Sequence, residues 1–168
     1  MASNVSTLRI DSIDGQPLTT GFENTHFSIS ISKRSLLSIQ DVFLVYASFP
    51  FVFENEPKIA FLKIRQMSEN FVDSELGGTR EDIVATIDIA AAPYGSMVQY
   101  EPNDLESVHQ SFHAESLGRD VSSLEILLVD ENNDLLNLHG HRLQLMFKCL
   151  PVDEHPPYKH HNKRRRHM

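Results

Sequence analysis

The chain has 168 residues, of which 40% are hydrophobic, and a formal net charge of −8. A single domain of this size can bury a hydrophobic core without the help of disulfides or metal ions. No apolar run approaches the length of about 20 residues of a membrane-spanning helix. The one cysteine cannot form an internal disulfide, and the start of the chain lacks the basic-then-apolar pattern of a signal peptide. We therefore expect one soluble domain, without a membrane span, made in the cytosol.

Charge is distributed unevenly along the chain. Residues 1–152 hold 10 Lys and Arg against 21 Asp and Glu, a balance of −11, whereas residues 153–168 hold 5 against 2, a balance of +3. An acidic body repels nucleic acid. Any contact with a polyanion is therefore expected to go through the C-terminal tail.

The first segment, residues 1–24, has a short run of β-forming residues at positions 5–10 and a turn signal at Asp14-Gly15. This pattern predicts either an edge strand or a short, flexible N-terminal arm.

Six strand candidates follow from Thr25 onward. Phe27, Ile29 and Ile31 alternate with serines, which indicates a half-buried strand. Residues 42–49 are apolar on both faces and end at a proline, so we expect a central strand there. The remaining four candidates are residues 58–67, with Ala60, Leu62 and Ile64 on one face, and residues 83–89, 97–100 and 108–113.

Two further strand candidates lie near the end of the chain. Residues 124–129 and 143–149 both show period 2, and the second places Leu143, Leu145, Phe147 and Cys149 on one face. Turn-forming residues lie between them, at residues 130–134 and at His139-Gly140-His141. We expect two long antiparallel strands that close a sheet, with Cys149 in the core.

These candidates predict an all-β fold. Eight strands and no convincing helical period indicate a sandwich of two four-stranded antiparallel sheets over residues 25–151. Residues 152–168 are expected to form a flexible, basic, His-rich tail, because they lack the aliphatic residues of a core. Eight strands fit several sandwich topologies equally well.

Three stretches of the chain resemble one family. The last combines a strand, an Asp-Glu-Asn turn from Asp130, Leu-x-Leu-x-Gly up to Gly140, and a strand ending Leu-x-Phe. Residues 39–55 form a strand followed by Phe-Pro and an asparagine, and residues 92–102 hold Ala-Pro-Tyr-Gly before Val-Gln-Tyr-Glu-Pro. In these features the chain is similar to the penton, or minor capsid, proteins of Polinton-like viruses, adintoviruses and virophages.

The resemblance covers most of residues 25–150 and implies a single jelly roll. It implies a structural protein of a DNA virus whose pentamers occupy the five-fold vertices of the virion, beside a neighbouring major capsid protein. It implies synthesis in the host cytoplasm, with assembly there or in the nucleus, and neither enzymatic activity nor a cofactor.

Three polar patterns in the sequence resemble parts of metal sites. The pair His139 and His141 matches part of a cupin metal site, but leucine and methionine stand where the carboxylate is required. His109 and His113 lack a third ligand nearby, and the loop from Asp130 lacks the glycine and glutamate of a calcium loop. We therefore predict no catalytic, cofactor-binding or metal-binding residue.

The tail carries the candidate site of the chain, a basic cluster for weak, non-specific DNA contact or for nuclear targeting. A cluster that only solvates the chain end fits the sequence as well. Its residues are Lys159, Lys163, Arg164, Arg165 and Arg166.

Two other functions remain alternatives to the capsid role. A host β-sandwich chaperone or adaptor of the nucleoplasmin type would also combine an acidic body with a basic end, although the long acidic tract of such chaperones is missing. A degenerate cupin-type metal enzyme is the second alternative.

Overall fold

The computed structural model describes residues 6–31, 39–65, 83–102, 111–113 and 123–151, which form two antiparallel β-sheets. Helical structure within these ranges is limited to 3-10 turns such as Ser12–Asp14. The ten strands in chain order are β1 (Ser6–Asp11), β2 (Gln16–Pro17), β3 (His26–Ser30), β4 (Ile39–Pro50), β5 (Ile59–Ile64), β6 (Ile83–Asp88), β7 (Met97–Tyr100), β8 (Ser111–His113), β9 (Ser123–Val129) and β10 (Gln144–Pro151).

In the first sheet the strand order is β1-β10-β4-β7, and β8 pairs with a different part of β4. In the second sheet the order is β2-β3-β9-β5-β6. Strand β4 has neighbours on both sides, so the prediction of a central strand is confirmed. Residues 6–11, which the sequence left open as an arm or an edge strand, form the edge strand β1.

The strand pairs are nested along the chain. β1 pairs with β10, β3 with β9, β4 with β7, and β5 with β6, so the innermost pair is a hairpin and the outermost joins the first and last strands. Two further pairings complete the sheets. β10 pairs with β4 in the first sheet, and β9 pairs with β5 in the second.

A single core lies between the sheets, and residues of both sheets contribute to it. Leu143, Leu145, Phe147 and Cys149 are all buried, whereas Gln144 and Lys148 between them are exposed. The predicted facing of the last strand is therefore confirmed. Ala60, Leu62 and Ile64 of β5 are also buried, as their spacing predicts. The fold is thus an all-β sandwich.

The expectation that the last two strands close one sheet together was wrong. β9 lies in the second sheet and β10 in the first. The connection between them crosses the end of the core, where Leu136 and Leu138 are buried. The Leu136 backbone N–H donates to the Leu128 carbonyl at 3.1 Å. Turn-forming residues predict that the chain changes direction, but they do not indicate which sheet the next strand joins.

Candidate functional site

Four connections gather at one end of the sandwich, which we call the loop end. They are residues 12–25, 51–58, 89–96 and 130–143. Backbone hydrogen bonds join them in pairs: Phe51 N–H donates to the Ser96 carbonyl at 2.8 Å, and Ser12 N–H donates to the Leu143 carbonyl at 2.9 Å. The loop end is therefore a cross-linked surface.

Three phenylalanines anchor the 51–58 connection to the core. The rings of Phe51 and Phe53 meet edge to face with centroids 5.2 Å apart, and the rings of Phe49 and Phe53 lie 6.3 Å apart. All three side chains are buried. Aromatic pairs at these separations stabilise the fold beyond the burial of their surface, so these rings hold the connection against the core.

The turn that begins at Asp130 is closed by its own side chain. Oδ1 of Asp130 accepts from the backbone N–H groups of Asn132 at 2.8 Å and Asp134 at 3.0 Å, and Asn133 has a φ of 67°. The predicted turn is confirmed. Its first carboxylate, which a calcium loop would direct at the ion, binds backbone amides.

The second turn of the same connection presents two histidines to solvent. His139 has a φ of 50° and Gly140 a φ of 83°, and the backbone N–H of His139 donates to Oδ1 of Asn137 at 2.8 Å. The predicted turn at these residues is confirmed, and both His139 and His141 are exposed. Within the described ranges, no group of three or more His, Cys, Asp or Glu residues could hold a metal ion.

Glu131 joins two of the connections. Its carboxylate oxygens lie 3.3 and 3.4 Å from the backbone nitrogen of Lys58, which donates to them. The pKa of Glu131 lies below its ordinary value, first because the residue's own backbone N–H donates a hydrogen bond to the carboxylate. The Lys58 backbone N–H, which also donates to it, and the positive charge of Lys58 lower the pKa further, and desolvation partly offsets these effects.

Two open clefts flank the 51–58 connection. One of about 380 Å³ lies against the turn at Asp130, and one of about 610 Å³ lies against residues 90–94. Glu54 borders both clefts. Together the four connections hold seven Asp and Glu residues and two Lys and Arg residues, so the loop end is expected to repel a polyanion.

Exposed apolar side chains occur at two places on the loop end. Ile13 and Leu18 are 70% and 44% exposed, and we call them the first edge patch; Tyr94 and Met97 are 67% and 55% exposed, and we call them the second edge patch. They are the exposed large hydrophobic residues of the described ranges.

The two patches lie on opposite sides of the sandwich. The first patch follows β1 and β2, which are the edge strands on one side. In the second patch Tyr94 lies between β6 and β7, which are the edge strands on the other side, and Met97 is the first residue of β7. Each is held in place: Oδ1 of Asp11 accepts from Ile13 N–H at 3.1 Å, and the Gly95 N–H donates to the Phe51 carbonyl at 2.7 Å.

A polar network on the second sheet was not predicted from the sequence. Nε2 of His26 lies 2.7 Å from Oε1 of Glu125, Nδ1 of His26 lies 2.6 Å from Oγ1 of Thr19, and Nε of Arg65 lies 3.4 Å from Oε1 of Glu125. The pairing of β9 with β3 on one side and with β5 on the other brings these residues together, and the period of each strand carries no information on its partner.

The predicted basic cluster lies outside the described residues. This applies to the five residues Lys159, Lys163, Arg164, Arg165 and Arg166, and to His109. His113 belongs to the short strand β8.

No known protein-family profile matches the chain, and a comparison with characterised proteins finds no significant relative. In the part of the chain that the structure describes, no helix has the length and apolar character needed to cross a membrane.

Proposed function

We propose that this protein is a penton-type minor capsid subunit, a single jelly roll of which five copies form a ring at each vertex of an icosahedral virion. Its role is structural and non-enzymatic, and its function resides in the contacts between copies and with a neighbouring major capsid protein.

The observation that carries the proposal is the nested order of the strand pairs. A jelly roll is a long ribbon of paired strands rolled into two sheets. Four nested pairs, from β1·β10 outside to β5·β6 inside, and closure by β10·β4 and β9·β5 agree with this description. Viral capsid proteins share the jelly roll with lectins and cupins, so fold alone does not choose among them.

The resemblance in sequence favours the capsid role. Its first stretch, residues 39–55, supplies β4 and the start of the loop end; its last stretch supplies β9, the crossing connection and β10. These strands occupy interior positions in the two sheets. With the middle stretch, residues 92–102, the similarity concerns the elements that determine the fold, together with parts of three of the four connections of the loop end.

The remaining parts of the proposal concern place and partners. Synthesis in the host cytoplasm and assembly there or in the host nucleus follow from the virion role. The acidic loop end is unsuited to packaged DNA, so DNA contact is assigned to the basic cluster of the tail, where it is weak and non-specific.

One observation favours the chaperone alternative. The excess of seven acidic over two basic residues at the loop end would attract basic proteins such as histones. This alternative is itself oligomeric, so ring formation does not exclude it. Histone binding that is abolished by reversing the charges of Glu54 and Glu131 would favour it. Stoichiometric metal in the purified protein would favour the cupin alternative.

Native mass spectrometry combined with electron microscopy of the full chain tests the proposal. With a body of −11, copies repel one another at low ionic strength, and screening relieves this. We expect monomers or weak oligomers at low salt and rings of five subunits at high salt. A dimer or trimer that dominates at every salt concentration would contradict the penton role.

A further inference from the structure

One residue of each edge patch, Ile13 of the first and Met97 of the second, lies at nearly the same height on opposite edges of the first sheet. The register places Asp11 of β1 and Gln99 of β7 in one row, through one residue each of β10 and β4. β1 is antiparallel to β10, β10 to β4, and β4 to β7, so β1 and β7 run antiparallel to each other. Ile13, two residues after Asp11, and Met97, two residues before Gln99, are therefore both displaced toward the loop end.

Opposite charges follow the same arrangement. Arg9, two residues before Asp11, and Glu101, two residues after Gln99, both lie on the other side of that row, at opposite edges of the sheet. Both side chains are exposed, and neither has an ion-pair partner among the described residues. One edge of the sheet thus offers an apolar residue and a cation, and the other offers an apolar residue and an anion at matching heights.

Both patches adjoin edge strands. Among the described residues, β1 pairs only with β10, and β7 pairs only with β4. Exposed apolar side chains beside an edge strand mark a surface suited to another chain. Because the two surfaces differ, a copy cannot satisfy both through one two-fold contact. A head-to-tail contact satisfies both, and it gives a ring when the rotation from copy to copy closes.

We infer that the first edge patch of one copy binds the second edge patch of the next copy, with Arg9 facing Glu101 across the contact. This inference rests on the proposed ring and assigns its interface. Ile13 and Leu18 then lie against Tyr94 and Met97, and every copy in a closed ring uses both patches. The acidic connections between the patches stay exposed.

Single charged substitutions test the contact. Ile13→Glu and Met97→Glu each place a carboxylate in one patch, and because both side chains are exposed, the thermal midpoint should not change. At high salt, where wild type forms rings, each variant should be monomeric. Lys148→Glu is the control, since Lys148 is exposed on the interior strand β10; this variant should form rings as wild type does.

A mixing experiment tests the head-to-tail arrangement. Ile13→Glu retains an intact second patch, and Met97→Glu retains an intact first patch, so an equimolar mixture should give heterodimers in native mass spectrometry. Rings should not form, because the other contact would bring two carboxylates together. A two-fold contact between identical patches would give no such heterodimer and would overturn the inference.

The outcomes separate this inference from the proposed function. Rings of five that persist in both variants would overturn the edge contact and leave the penton role standing. Assemblies of another size that both variants abolish would support the edge contact and overturn the five-fold ring. A wild-type protein that is monomeric at every salt concentration would overturn both.

Discussion

Nε2 of His26 donates a hydrogen bond to Oε1 of Glu125 over 2.7 Å, joining β3 to β9 across 99 positions of sequence. A carboxylate only accepts, so Nε2 carries a proton, and in the neutral ring Nδ1 accepts from the hydroxyl of Thr19. One imidazole therefore connects the turn before β3 to a strand at the centre of the second sheet.

His26→Ala should weaken the fold through this connection. Hydrogen bonds to charged groups contribute about 1.5–3 kcal/mol, and partial exposure of this pair to water places the expected loss at about 1–2 kcal/mol. Urea denaturation measures it. His141→Ala, at an exposed residue, is the control and should change the free energy of unfolding by less than about 0.5 kcal/mol; equal losses would mean that the network contributes nothing.

Phe147→Ala should be far more damaging than Lys148→Ala. Phe147 is 1% exposed in the core face of β10, and its neighbour Lys148 is exposed. Truncating a buried phenylalanine costs about 3–5 kcal/mol, against a total stability of about 5–15 kcal/mol for a domain. Soluble yield and thermal midpoint of the two variants measure the contrast, and similar values for both would contradict the facing of this strand.

Gly15→Ala should destabilise the protein for a steric reason. With a φ of −83° the backbone of Gly15 suits any residue, but an added Cβ would overlap the ring of Phe27, which is fully buried. Overpacking of this kind costs about 1–3 kcal/mol. Thermal unfolding measures the cost, with the exposed Gln16→Ala as control; an unchanged midpoint for Gly15→Ala would show that the Phe27 ring moves aside freely.

Glu131 should contribute to acid sensitivity. Its pKa is lowered from the ordinary 4.5 in the fold, so the ionised group stabilises the folded state above that pH, and the stabilisation disappears as pH falls through the lower, folded-state pKa. Glu131→Gln should show a smaller loss of thermal midpoint on acidification than wild type. Glu56→Gln, at another exposed residue of the loop end, provides the comparison; an acid response identical to wild type in Glu131→Gln would contradict the assignment.

Deletion of residues 153–168 separates the tail from the fold. The thermal midpoint should not change, because these residues lack the apolar surface of a core. Binding to DNA at low salt should be lost with the basic cluster, and in the full chain it should fall by a log–log slope of about −0.9 for each phosphate neutralised. Salt-sensitive binding that survives the deletion would show that another surface contacts DNA.

Period and turn chemistry predicted the strands and their faces. In β10 every second residue is buried, and the turns at Asp130 and at His139-Gly140 lie where the sequence places them. These features are local, because alternation follows from the pleat and turns follow from the side chains within them.

Pairing could not be predicted in the same way. The alternation of β9 indicates that the face of Leu124, Ile126 and Leu128 belongs to the core, but not that β3 and β5 lie on either side of this strand. The crossing between β9 and β10 did leave a signal that could have been used: Leu136 and Leu138 are apolar residues within a polar connection, and both are buried. The edge patches are a property of strand order, so no local pattern could have placed them on opposite sides.

Nested pairing also restricts when the chain can fold during synthesis. β9 and β10 are interior strands of different sheets, and they leave the ribosome after the eight described strands that precede them. Until both emerge, β1 has no partner and β3 and β5 remain separated, so among the described strands of the first 122 residues the pairs that can form are β2·β3, β4·β7, β4·β8 and β5·β6. Long-range pairing is slow, and a stalled ribosome would therefore release a nascent chain with open strand edges, a substrate for chaperones and proteases.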